Sequence, residues 1–298
     1  MPPETIHWPI ETGPYRMAMG LTTAPEPAWF EFDALYPSEM AERRRLLADL
    51  HTKVFAVRPE SDAARRETLD LVAQALAGHH PGWFRRDGTV LHNHLTTEAW
   101  DLAHPPLDPL ELAGRLVQED LCLIQLRDGT PVFTAGVLCF PSRWRMDEKI
   151  GRPLAEVHGP VPLYADRLER PVDRFMRHVK VGHIATRLNW SILDNPALYQ
   201  PTGKWRQDSD TVITPENAGE GLYLRVERQT LRRLPASDAI LFGIRVHNYR
   251  LDRLIDSPAR AGQLADAVRA LPDSVVLYKS MVALRAPLLA WLDRRAGG

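Results

Sequence analysis

The residues best suited to chemistry lie between Phe140 and Arg250. His158 stands in the run Val157-His158-Gly159-Pro160-Val161-Pro162, in an apolar setting just before a rigid Pro-x-Pro turn. Proline fixes its own φ and restricts the residue before it, so such a turn projects an imidazole into a pocket at a set angle. A buried histidine satisfied by backbone would read the same way. In residues 222–234, strand alternation sends Leu224, Val226, Arg228 and Arg232 to one face and Tyr223, Arg225, Glu227 and Gln229 to the other. In 185–193 Arg187 and Asn189 share one face while Leu188 and Trp190 share the other, and in 240–250 Arg245 and His247 share a face. Several cations aimed at one cavity suit an anionic ligand such as a propionate-bearing macrocycle. The plainer alternative is an ordinary surface face laced with ion pairs.

Other chemistries lack their signatures. The chain has no phosphate-binding loop, no dinucleotide glycine fingerprint, no Gly-x-Ser-x-Gly elbow and no His-Glu-x-x-His helix. His92-Asn93-His94 would put two imidazoles on one strand face, but without a nearby carboxylate a structural role is expected. The two cysteines, Cys122 and Cys139, sit in apolar runs and are too few for an iron–sulfur cluster, so electrons, if used, come from elsewhere.

The positioning elements follow from pattern. A helix starts near Ser38, another covers about 60–77, and Asp108-Pro109-Leu110-Glu111 is a full start signal for a helix running to about Glu119. The β-rich runs 121–126 and 132–140, joined by Arg127-Asp128-Gly129-Thr130, predict a hairpin. Residues 147–181, broken by Pro153, Pro160, Pro162 and Pro171, allow only short helices. Strands are expected at 184–193, 222–234 and 240–250, then helices over 258–271 and from Asp273 onward. Leu277, Met281, Leu284, Leu288 and Trp291 form the core stripe of the last. The first 37 residues, with seven prolines, read as an extended arm packed down by Trp8, Tyr15, Trp29 and Phe30. Two strands, a helical excursion and three strands is the order of a PAS-type domain. The expectation is therefore α+β, with a PAS-like antiparallel five-stranded sheet under short helices and flanking N- and C-terminal helices. The boundaries are an arm and helical region at 1–119, a core at 120–251 and C-terminal helices at 252–298.

Composition narrows the class. With 298 residues, 44% apolar and 25% charged, the chain supports a full core, and 37 basic against 38 acidic residues give no reason to expect nucleic-acid binding. Neither a membrane span nor a signal peptide is read, which points to the cytoplasm.

The wording of several segments adds a resemblance. Phe140-Pro141-Ser142-Arg143-Trp144, Lys149-Ile150-Gly151-Arg152-Pro153-Leu154, His158 with Pro160-Val161-Pro162, and Arg187-Leu188-Asn189-Trp190 stand in order. They are followed by Leu224-Arg225-Val226-Glu227-Arg228-Gln229-Thr230-Leu231-Arg232-Arg233-Leu234-Pro235. Together they resemble the haem-dependent oxidative N-demethylase family, over at least 120–250. The resemblance implies haem b in a PAS-like fold and oxidative N-demethylation of a small methylamine such as dimethylamine, using O2 and releasing formaldehyde. It implies electrons from a separate reductase subunit carrying FMN, a 2Fe-2S cluster and NADPH. His158 becomes the leading axial ligand, with His178 or His183 as the alternative by analogy with haem-binding PAS sensors. Arg225 and Arg228 are the first choices for the propionates, with Arg187 and Arg143 behind them. Glu227 would pair an arginine, relay protons or bind a cationic amine, and Trp190 or Tyr164 would shape the substrate pocket. The competing reading is a haem-binding PAS sensor or carrier without turnover.

Overall fold

The computed structural model describes residues 1–297. Its strands, in chain order, are β1 Thr22–Ala24, β2 Phe55–Val57, β3 Phe84–Asp87, β4 Val90–Asn93, β5 Glu98–Asp101, β6 Asp120–Arg127, β7 Thr130–Val137, β8 Ile184–Leu193, β9 Tyr223–Arg233 and β10 Ile240–Arg250. They form a seven-stranded antiparallel sheet in the order β1-β8-β9-β10-β6-β7-β2 and a small sheet β3-β4-β5. With the intervening helices the fold is α+β. The five strands expected from pattern are contiguous, but the three-residue strands β1 and β2 extend the sheet at both edges, to seven rather than five.

Local chemistry accounts for the elements. The β6–β7 hairpin turns at Asp128 and Gly129, whose φ values of 50° and 77° are the two left-handed residues that a type I′ turn needs. Asp108 caps the helix Pro109–Gly114 by accepting the Leu110 amide at 2.9 Å. That helix is shorter than the expected run to Glu119. At the head of β6, the buried Asp120 carboxylate accepts from Arg43 Nη1 at 2.9 Å and from the Cys139 and Phe140 amides at 2.8 Å each. This ties the exit of β7 to the helix Tyr36–Asp49 and fixes where the chain enters residues 141–144.

The two faces of the main sheet are built differently. Cross-strand partners share a face, so Arg187, Asn189 and Ser191 stand with Gln229, Glu227 and Arg225. Further across, Leu231 pairs with Phe242 and Phe242 with Cys122, so this face turns apolar toward β6. The short helices Leu154–Val157, Tyr164–Arg167 and Glu169–His178 cover that apolar part, where Leu154 and Met176 pack on Ile124, Leu231 and Ile240. On the opposite face Leu224 and Val226 pack on Leu264, Val268, Leu284 and Leu288 of the C-terminal helices. Leu121, Leu123 and Leu241 join Met40, Leu69 and Val72 of the N-terminal helices in a second core. No helix among the described residues is long and apolar enough to cross a membrane.

Candidate functional site

His158 ends the helix Leu154–Val157, and its Nδ1 lies 2.9 Å from Leu154 O. A carbonyl only accepts, so Nδ1 carries the proton and Nε2 keeps its lone pair. The ring stacks on Tyr164, centroids 4.7 Å apart at 13°. Burial, reinforced by the positive charges of Lys149, Arg187 and Lys204, pushes the imidazole down to about 4. His158 is therefore neutral near pH 7, with one nitrogen pinned by backbone and the other free. This is the form in which imidazole binds a metal.

The cations around it come from distant segments. Lys149 Nζ donates to Val157 O, Lys204 Nζ to Tyr278 Oη at 3.2 Å and Lys279 Nζ to Trp190 O, while Arg187 Nε is buried without a partner. All four meet neutral acceptors or none. Burial accordingly pushes Lys149 and Lys279 down to about 8 and lowers Lys204 and Arg187. The carboxylate felt by Arg187, Lys204 and Lys279 is Glu227. Burial alone would raise the Glu227 carboxyl. Hydrogen bonds from Ser142, from Asn189 Nδ2 at 3.3 Å and from Gln229 Nε2 at 2.8 Å, with the charge of Arg225, outweigh burial and hold it below its usual range. Glu227 is thus an ionised carboxylate at neutral pH.

A cavity of about 420 Å³ opens between residues 155–169 and Trp205, Ser274 and Leu277, with none of Lys149, Arg187, Lys204, Lys279 and Glu227 in its wall. Its wall includes Ala155, Gly159 and Tyr164, which flank His158 in the chain or stack on it. The Tyr164 hydroxyl is buried with no hydrogen-bond partner. The frame here is strained: Arg143, Leu163, Trp205 and Ser280 all have φ between 55° and 66°. Non-glycine residues resist that region, and such residues concentrate at binding and catalytic sites. Ser280 Oγ donates to Gly203 O at 2.7 Å and accepts from the Arg206 amide at 3.1 Å, which sets Lys204 beside Lys279.

The remaining expected site residues are placed as follows. Arg143 ion-pairs with Asp194 at 3.4 Å and reaches Lys279 O at 3.4 Å, so it braces the segment carrying Lys279. Arg225 is on the Glu227 face, yet its guanidinium is taken up by Ser142 Oγ and the carbonyls of Phe140, Pro141, Ala197 and Leu198 at 2.8–3.3 Å. Arg228 lies on the opposite face, ion-paired to Glu31 at 3.2 Å and bonded to Trp29 O and Ala28 O. Alternation thus separates the two arginines that the sequence reading grouped on one ligand. Trp190 turns to Arg228's face and packs on the C-terminal core, its ring centroid 5.6 Å from Lys279 Nζ. His178 and His183 are exposed. The sequence reading passed over Lys204, Lys279 and Tyr278. A compositional signal was present: the chain has only five lysines, and three of them converge here.

The contrast between the arginines is testable. Arg225→Met strands five acceptors and is expected to cost about 3 kcal/mol of folding stability. Arg187→Met, which strands none, is expected to leave the denaturation midpoint within about 0.5 kcal/mol of wild type. Chemical denaturation of both variants checks this, and equal losses would refute the assignment of Arg225 as a tether.

As a fit for a prosthetic group, the site offers an imidazole with a free Nε2, four cations with no carboxylate in salt-bridge contact, and two orphaned buried polar atoms. That donor set complements a dianionic metal macrocycle. A family model described as haem-dependent oxidative N-demethylase, alpha subunit-like, matches residues 20–289.

Proposed function

The chain belongs to the haem-dependent oxidative N-demethylase, alpha subunit-like family, and from that premise we propose that it binds haem b through His158 and demethylates a small secondary or tertiary methylamine. The nearness of Lys149, Arg187 and Lys204 to a neutral His158, and of Lys279 to Arg187 and Lys204, carries this reading. In it those four cations hold the propionates, in place of Arg225 and Arg228. The core of two strands, helical excursion and three strands supports the PAS-like reading of the fold.

When bound, the haem supplies activation of O2. His158 offers Nε2 to the iron while Leu154 O and the Tyr164 ring fix the plane of the imidazole. The ionised Glu227 attracts and orients the ammonium of the amine, a role its low pKa suits better than that of a proton donor. The Tyr164 hydroxyl, raised in pKa by burial, keeps its proton and, as a donor without a partner, supplies a hydrogen bond in this reading. Once the N-methyl group is hydroxylated, the carbinolamine collapses to formaldehyde and the smaller amine. In this reading a separate flavin and iron–sulfur reductase subunit supplies the electrons, and the two buried cysteines of this chain take no part.

The test is an absorption spectrum of the purified protein with a pyridine haemochrome assay, followed by formaldehyde release from dimethylamine and trimethylamine with a reductase. A stoichiometric b-type Soret band with formaldehyde release is expected. A colourless protein after expression with a haem precursor overturns the reading, and haem without formaldehyde from any methylamine favours the sensor or carrier. Glu227→Gln is expected to raise KM for the amine roughly tenfold or more, through loss of a charged contact. An unchanged KM would remove Glu227 from substrate binding.

A further inference from the structure

On the face of the sheet opposite Glu227, three segments bring two imidazoles to one carboxylate oxygen. His7 comes from the N-terminal arm, Glu31 follows the short 3-10 helix Glu26–Ala28, and His247 stands on β10. His7 Nε2 is 3.0 Å and His247 Nε2 is 3.2 Å from Glu31 Oε2, and the three donor atoms lie within 4.8 Å of one another. These separations are close to the edge of a coordination polyhedron with metal–ligand bonds of about 2.0–2.1 Å. The two imidazole rings lie 4.9 Å apart between centroids with their planes inclined at 58°.

We propose that His7, Glu31 and His247 form a binding site for a divalent transition-metal ion of the zinc class, which straps the N-terminal arm to the sheet. Two imidazoles and one carboxylate suit that class, with water or substrate-free solvent completing the sphere.

The surroundings are those of a built site. His247 Nδ1 lies 3.3 Å from Glu4 Oε1, the carboxylate–imidazole arrangement that orients a ligand's other nitrogen toward its metal. The Arg228 Nε at 3.2 Å from Glu31 Oε1 holds that oxygen aside and leaves Oε2 for single-oxygen coordination. Tyr249 Oη accepts the His7 amide at 3.1 Å and donates to Thr5 O at 2.6 Å, which fixes the arm at the level of His7. His247 is 1% exposed at its side chain.

Local charge points the same way. Glu4, Glu31, Asp33, Glu39 and Glu119 stand about this centre against the guanidiniums of Arg228 and Arg245. Glu119 is fully buried: its Oε1 accepts the Glu31 amide at 3.0 Å, and its Oε2 has no partner. Burial raises the Glu39 carboxyl and lifts that of Glu119 to about 7, yet the carboxyl groups here still outnumber the guanidiniums, an acidic setting that suits a bound cation. His7 and Glu4 precede the family-matched segment, which begins at residue 20. Glu31 and His247 lie within that segment, and the site is on the face of the sheet opposite Glu227.

The experiment is equilibrium dialysis of the full-length protein, first stripped with EDTA, against ZnCl2, with zinc measured by atomic emission and thermal melting run in parallel. Wild type is expected to retain one more zinc per chain than His7→Ala, and zinc is expected to raise the melting temperature of wild type alone. Glu4→Gln is expected to weaken zinc binding about tenfold. Equal zinc retention by wild type and His7→Ala overturns the proposal, as does an equal zinc-dependent shift in melting. Should His7→Ala lose its native circular dichroism, Glu31→Gln and His247→Gln provide the same comparison.

Discussion

Replacing His158 by Ala is expected to abolish the axial iron signal and formaldehyde release together, with the rest of the fold intact. His158 is half-buried as a residue, and its imidazole makes one backbone hydrogen bond and one stack on Tyr164, so its removal is expected to cost little stability. Exogenous imidazole is expected to restore the Soret band of His158→Ala in part, because the cavity left behind has the shape of the lost ring. The pH dependence follows from the same geometry. With the imidazole held down to about 4, ligation persists in acid well below the ordinary histidine range and fails only as the pH approaches 4. Visible spectra of wild type and variant from pH 8 to pH 4 decide the matter. A normal spectrum in His158→Ala would move the axial role to another histidine, with exposed His178 and His183 next in line.

Lys279→Met is expected to act in opposite directions on two measurements: weaker haem retention and a more stable ligand-free protein. An enclosed ammonium with no carboxylate in contact opposes folding: Lys279 has Trp190 O as its hydrogen-bond acceptor and the Trp190 indole beside it, and the charge of Glu227 offsets only part of the burial. Its pKa falls to about 8 in the folded chain, against about 10.4 when unfolded. Between those values the unfolded chain binds more protons, so the stability of the ligand-free protein rises with pH through that window. Below about 8 the full penalty is present. A bound propionate supplies the missing charge, lifts the lysine pKa and flattens that rise. The ligand-free variant is expected to melt about 2 °C higher than wild type at pH 7, from roughly 1 kcal/mol of relieved burial. It is expected to release haem to apomyoglobin faster than wild type. A ligand-free variant that melts lower, or haem loss at the wild-type rate, would take Lys279 out of the anion site.

Much of the scaffold is written locally. The strands Ile184–Leu193 and Ile240–Arg250 fall where alternation and β-branched residues put them, and the Asp128-Gly129 pair sets its turn because few other dipeptides accept two left-handed residues. The caps at Asp108 and Ser257 mark their helices through side-chain bonds to amides two and three residues on. Strands β1 and β2 escaped notice because three residues carry no period. The four-residue strands of the small sheet at 84–101 did so for a similar reason. The break between the helices Asp273–Tyr278 and Val282–Gly297 was also invisible, since it turns on Ser280 in a left-handed conformation with neither glycine nor proline to announce it.

The site divides along the same line. Alternation by itself determined that Glu227 and Arg225 share a face and that Arg228 cannot join them, because a strand's period of two allows no other outcome. It did not reveal that Arg225 would be consumed by five protein acceptors contributed from residues 140–142 and 197–198. Nor does any local pattern gather Lys149, Arg187, Lys204 and Lys279, which are separated by 17 to 75 residues along the chain. Segment wording identified His158 as the residue to watch, whereas its tautomer, its stacking on Tyr164 and its depressed pKa come from packing. Local periodicity and turn chemistry act over a few residues and so determine elements and faces. Burial and charge act through space, so only the tertiary structure decided which cations stand without partners and where an anion would be held.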